Sequence, residues 1–123
     1  MRSQQIQADL ARMALQPGIA GCALVEARTG LVWHASGQSA QAERVWEAAV
    51  DYWRLYERQK TQFTALGPLG AAVMYHTEAM LVVLPCCADP DVLLILHGEH
   101  GVVDWIALQR MARELGALLR TSN

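Results

Sequence analysis

The sequence predicts an α+β domain in which helix, strand, strand, helix, three strands and a last helix follow one another. Three observations carry that reading. Two short β-prone runs flank a polar turn at residues 26–30 that ends in a glycine, the pattern of a hairpin. The stretch 42–60 contains no Gly or Pro and spaces its apolar residues as a helix does. Three apolar runs, 69–76, 79–84 and 92–96, stand close enough together to be adjacent antiparallel strands.

Each element follows from local chemistry. Residues 3–15 form the first helix, with Ser3 placed to cap the free amides and Ile6, Leu10, Met13 and Ala14 on one face. Pro17-Gly18 stops it. The strands 19–25 and 31–35 follow, and Gly30 is the turn residue best suited to a positive φ. Residues 36–41 are small and polar and lead into the long helix. The three later strands are separated by Thr77-Glu78 and by residues 85–91. Asp104 stands at the cap position of the last helix, where Leu108, Met111, Ala112, Leu115, Leu118 and Leu119 make a single stripe. Gly116 interrupts that stripe at a cost of about 1 kcal/mol against Ala, which points to close packing.

Composition bounds the function. At 123 residues and 53% hydrophobic, the chain suits one domain, 1–123, and a chain this size buries roughly two-thirds of its unfolded surface. Ten Lys plus Arg against twelve Asp plus Glu leave no basic excess, so a nucleic-acid partner is not expected. The longest apolar run, 79–84, stops at Pro85, far short of the roughly 20 residues that cross a bilayer. No secretory signal is visible at the start, and three cysteines at no framework spacing suit a reducing cytoplasm.

Chemical motifs are sparse. Cys86-Cys87 is a vicinal pair whose side chains diverge on an extended chain, and His97 and His100 have no paired ligand group elsewhere. No general base marks a thiol as a nucleophile, no G-x-S-x-G elbow is present, and Gly67-Pro68-Leu69-Gly70 lacks the residues of a phosphate loop. We therefore expect no catalytic residue, metal or cofactor. Arg44, Arg54 and Arg58 alternate with Glu43, Glu47, Asp51 and Glu57, which reads as surface pairing.

The long helix stands out. Glu43, Arg44, Glu47, Asp51, Arg54 and Arg58 occupy one narrow sector, leaving roughly 220° of apolar surface at about 100° per residue. A helix on one sheet needs an apolar stripe only somewhat over ~100° wide. It should bury two faces. Val45, Ala49, Tyr52 and Tyr56 suit the sheet; Trp46, Val50 and Trp53 form a second line, of the kind that marks an interface when exposed. Residues 69–76 carry no charge and no proline beyond Pro68, so as a free sheet edge they would lack the usual protection against pairing.

Taken together, the chain resembles the roadblock/LC7 family. Residues 18–37, GIAGCALVEARTGLVWHASG, resemble its opening hairpin, with Glu26 and Gly30 at the turn; residues 67–84 resemble its middle strands, and 92–119 its last strand and closing helix. Profilin-like and PAS-type domains use comparable layers. The resemblance implies a five-stranded antiparallel sheet with the long helix on one face, in the order α-β-β-α-β-β-β-α. It also implies a homodimer in which the long helices meet and the third strands pair edge to edge. The interface is thus assigned to Trp46, Val50, Trp53, Ala72 and Met74. Members of the family are non-catalytic adaptors, scaffolds of small Ras-like GTPases, or bacterial regulators that stimulate a partner GTPase. Nine arginines against one lysine fit a GC-rich bacterial genome. The alternative is a small-molecule-binding sensory domain of PAS or profilin-like architecture, which would place polar groups around a pocket between sheet and helix.

Overall fold

A computed structural model describes residues 2–38, 42–88 and 91–120. The elements are α1 (Arg2–Ala14), β1 (Ile19–Glu26), β2 (Val32–Gly37), α2 (Glu43–Gln59), β3 (Ala72–Tyr75), β4 (Met80–Cys87), β5 (Val92–Gly98) and α3 (Trp105–Arg120), with a 3₁₀ segment Lys60–Leu66 between α2 and β3. Ser3 lies inside α1 rather than capping it.

The five strands form one sheet in the order β2-β1-β5-β4-β3, and every neighbouring pair is antiparallel. The sheet has helices on both faces. Alternation along the strands sends Cys22, Leu24, Val82, Leu84, Leu94 and Leu96 toward α1 and α3, which contribute Leu10, Met13, Leu108 and Leu115. The intervening residues Ala23, Val25, Val83, Leu93 and Ile95 face α2. This explains why β1, β4 and β5 read as continuous apolar runs rather than alternating ones: both of their faces are covered.

Local signals set the connections. Gly30 takes φ +78° at the β1–β2 turn, where its N–H donates to the Glu26 carbonyl at 2.8 Å and Thr29 Oγ1 donates to Glu26 Oε1 at 2.6 Å. Asp104 caps α3, with the Ala107 N–H donating to its Oδ1 at 3.1 Å.

Strand β2 takes in Ser36 and Gly37, expected to begin a loop whose residues 39–41 lie outside the described residues. Two further expectations shift. Residues 69–71 do not join β3, because the strand pairs with β4 only from Ala72↔Val83 to Tyr75↔Met80. Conversely, β4 runs through Pro85 to Cys87, so the vicinal cysteines lie in a strand and not in a connection. Beyond Val83, among the described residues, no strand borders β4 on the β3 side. Pro85 therefore sits at a local edge, next to a register shift, where the missing N–H costs little.

Candidate interaction surface

The apolar surface of α2 divides between sheet and solvent, but the two lines exchange roles relative to expectation. Trp46, Ala49 and Val50 are fully buried against the sheet and Trp53 is half-buried beside them. Trp46 and Val50, expected at the interface, therefore belong to the chain's own core. The cause is volume. On this face the sheet contributes the small residues Ala23 and Ala35, the β1–β2 turn adds Ala27, and the two tryptophans pack in the same layer. The Trp46 indole N–H is the exception, buried without a hydrogen-bond partner.

Facing outward instead are Val45, Tyr52 and Leu55, 45%, 41% and 50% exposed. With the exposed Ala48 they make a charge-free stripe, and Phe63 and Leu66 of the 3₁₀ segment extend the exposed apolar surface beyond its C-terminal end. Ring contacts hold that segment: Trp53 lies 5.4 Å from Tyr56, and Tyr56 stacks on Phe63 at 6.2 Å.

The direction of the stripe is fixed by what flanks the helix. Glu43 and Glu47 line a cleft with β2, and Arg54 reaches the Ala27 carbonyl at 3.2 Å while pairing with Asp51 at 2.9 Å. Val45, on the other flank, lines a hollow with His76 and Leu81 at the β3–β4 turn. The charged side of α2 thus looks toward β2, and the apolar stripe toward β3.

The two sheet edges differ in the same sense. At β2, Gln7 from α1 covers the edge: its Nε2 donates to the Ala35 carbonyl at 3.1 Å, and its Oε1 lies 2.9 Å from His34 Nδ1. That carbonyl oxygen can only accept, so Nδ1 is assigned the proton. Desolvation lowers the His34 pKa and favours this neutral form. At β3 no residue is charged; Ala72 and Met74 are half-buried toward the α2 layer, while Val73 and Tyr75 are exposed on the other side. Ala72 and Met74 therefore present backbone rather than side chain to anything beyond the edge. Tyr75 packs its ring against His100 at 5.2 Å.

The reactive groups are muted. The Cys22 thiol donates to the Leu10 carbonyl and the Cys86 thiol to the Ala112 carbonyl, each at 3.4 Å. Burial pushes both up to about 12; for Cys86, the neighbouring Cys87 adds to the rise and Arg120 opposes it. Neither is a thiolate at neutral pH, the form a nucleophile or metal ligand requires. Among the described residues no three His, Cys, Asp or Glu side chains are placed to hold a metal ion, and no helix is long and apolar enough to cross a membrane.

Sequence reasoning missed Val45, Tyr52, Leu55, Phe63 and Leu66 as the exposed set. A usable signal was present. Tyrosine carries a hydroxyl that prefers a wet rim, and Tyr52 lies on the line that faces out.

No family profile matches the sequence, and no curated protein matches it. Solved structures do. A roadblock/LC7 domain from Streptomyces avermitilis superposes with a TM-score of 0.72 at 18% identity, covering 94% of this chain and 92% of that one. Myxococcus xanthus MglB gives 0.74 at 12% identity, over 97% and 90% of the two chains. The gliding protein MglB from Thermus thermophilus gives 0.70 at 13%, over 98% and 90%. The matches span nearly the whole of each chain, and element order and sheet agree with the resemblance read in the sequence. This protein has the roadblock/LC7 fold.

Proposed function

We propose that the protein is a non-catalytic adaptor or regulator that works as a homodimer and docks a small Ras-like GTPase. The observation that carries the proposal is the charge-free stripe of Val45, Ala48, Tyr52 and Leu55 on α2, facing the same side as the uncharged edge strand β3. Exposed apolar patches of this kind mark protein contacts, and an open edge strand is a template for pairing. A self-complementary patch joins two copies about a two-fold axis. The fold's occurrence in MglB, and in an MglB with a tetrameric arrangement, supports an assembling regulator over a catalyst. Between α2 and the middle of the sheet, Trp46, Val50, Leu93 and Ile95 pack the layer with apolar side chains.

Binding to a Ras-like GTPase encoded in the same genome tests the reading. The immobilised protein is expected to retain the GTPase in one nucleotide state, GDP-loaded or loaded with a non-hydrolysable GTP analogue, in preference to the other. Equal failure to retain either state of every such GTPase in the genome would overturn it.

A further inference from the structure

We infer that the second copy inserts its Leu66 into an apolar hollow at the N-terminal end of α2, a contact made twice about the two-fold axis. The inference rests on the dimer proposed above and goes beyond it by naming the residues that set its register. The hollow has a volume of about 220 Å³ and is walled by Ala42, Val45 and Trp46 of the helix side and His76, Ala79 and Leu81 of the β3–β4 turn and β4. Leu66 is 81% exposed, among the most exposed large apolar side chains of the chain. One chain thus carries an unfilled apolar hollow and an unburied apolar knob, at opposite ends of the same helix.

Symmetry brings them together. Two β3 edges can join a continuous sheet with both α2 helices on the same face only if the axis stands normal to the sheet, which makes the paired strands antiparallel. In that arrangement the segment before β3 in one copy, residues 66–71, passes the turn after β3 in the other, residues 76–79. That turn forms one wall of the hollow. The charges of α2 favour the same orientation. Its N-terminal half has three acidic residues, Glu43, Glu47 and Asp51, against Arg44; its C-terminal half and cap have Arg54, Arg58 and Lys60 against Glu57. These side chains lie on the flank turned toward β2 and act across the contact only as a longer-range field, which antiparallel helices make attractive and parallel helices repulsive. The 3₁₀ segment, braced by Tyr56 on Phe63, would present Leu66 as a fixed projection.

The test uses two full-length variants. Leu66→Ala removes the knob and Ala79→Phe fills the hollow. Each alone is expected to weaken self-association about a hundredfold, roughly tenfold for each of two buried leucines. Mixed together, they should form a heterodimer more tightly than either forms a homodimer. One site then joins an intact Leu66 to an open hollow, and the other joins a shortened side chain to a filled one. Native mass spectrometry separates the three dimers by mass. If the wild type is dimeric and both variants self-associate as it does, the contact is wrong while the dimer stands. If both weaken and no heterodimer is favoured, the two residues do not meet, and the inference fails. A monomeric wild type overturns the dimer and this contact together. Ala42→Phe, which fills the hollow from the helix side, replaces Ala79→Phe should that variant lose its circular dichroism signature.

Discussion

Replacing Trp46 by alanine is expected to destabilise the fold by about 3–5 kcal/mol, the range for truncating a large aromatic in a packed core. The side chain is wholly buried between α2 and the sheet, among Ala23, Val25, Val83 and Ile95. The small strand residues that admit it cannot close the void it would leave. A domain of this size has roughly 5–15 kcal/mol of stability in all, so urea unfolding should move to a much lower midpoint. Trp46→Phe, which keeps one aromatic ring in the layer and leaves a smaller void, should cost clearly less than the alanine. The indole N–H has no acceptor to lose, so the substitution sacrifices contact area alone. A Trp46→Ala protein that unfolds at the wild-type midpoint but no longer self-associates would return Trp46 to the interface.

Gly116→Ala should be the most damaging small substitution in α3. In an ordinary helix position the change would stabilise by about 1 kcal/mol. Here an added Cβ would collide with the carbonyl of Cys86 on β4, and the obstacle is backbone that cannot rotate away. Pushing α3 off the sheet would also disturb Leu115, Ala112 and the Cys86 thiol that bonds the Ala112 carbonyl. Overpacking of this sort costs about 1–3 kcal/mol or more. Set against the helix gain, a cost at the upper end of that range leaves a net loss of about 2 kcal/mol, a fall in Tm of roughly 8 °C. A Tm raised by the substitution would show that α3 stands farther from β4 than the structure places it.

Gly116 also shows what a sequence can disclose. A glycine within an otherwise regular apolar stripe pointed to close packing, and the Cys86 carbonyl is what it packs against. The hairpin at Gly30, the Asp104 cap and the order of elements were readable for the same reason: each depends on residues near in sequence. The division of α2 was not. Both apolar arcs border the charged sector, so periodicity alone does not say which one meets the sheet. The answer lay in Ala23 and Ala35, whose small size matters only once strand register sets them side by side in the layer with the tryptophans. Pro85 misled for a related reason. It reads as the end of a strand, yet β3 stops short of it and leaves the position at an edge where proline is tolerated. The 3₁₀ segment with Phe63 and Leu66 carries no periodic pattern, and its place in the exposed apolar surface depends on Tyr56, which the ring stack holds from the preceding helix.

On this reading the outward stripe of α2 is where the protein meets a second copy of itself. Light scattering of the wild type and of Tyr52→Glu, side by side at micromolar concentration, tests it most directly. Tyr52 is exposed in the single chain, so the substitution should leave folding within about 0.5 kcal/mol of the wild type while forcing a charge into the shared apolar contact. The wild type is expected at twice the 13.6 kDa chain mass and Tyr52→Glu, still folded, at 13.6 kDa. A wild type at 13.6 kDa, or a Tyr52→Glu protein that stays dimeric, would contradict the account.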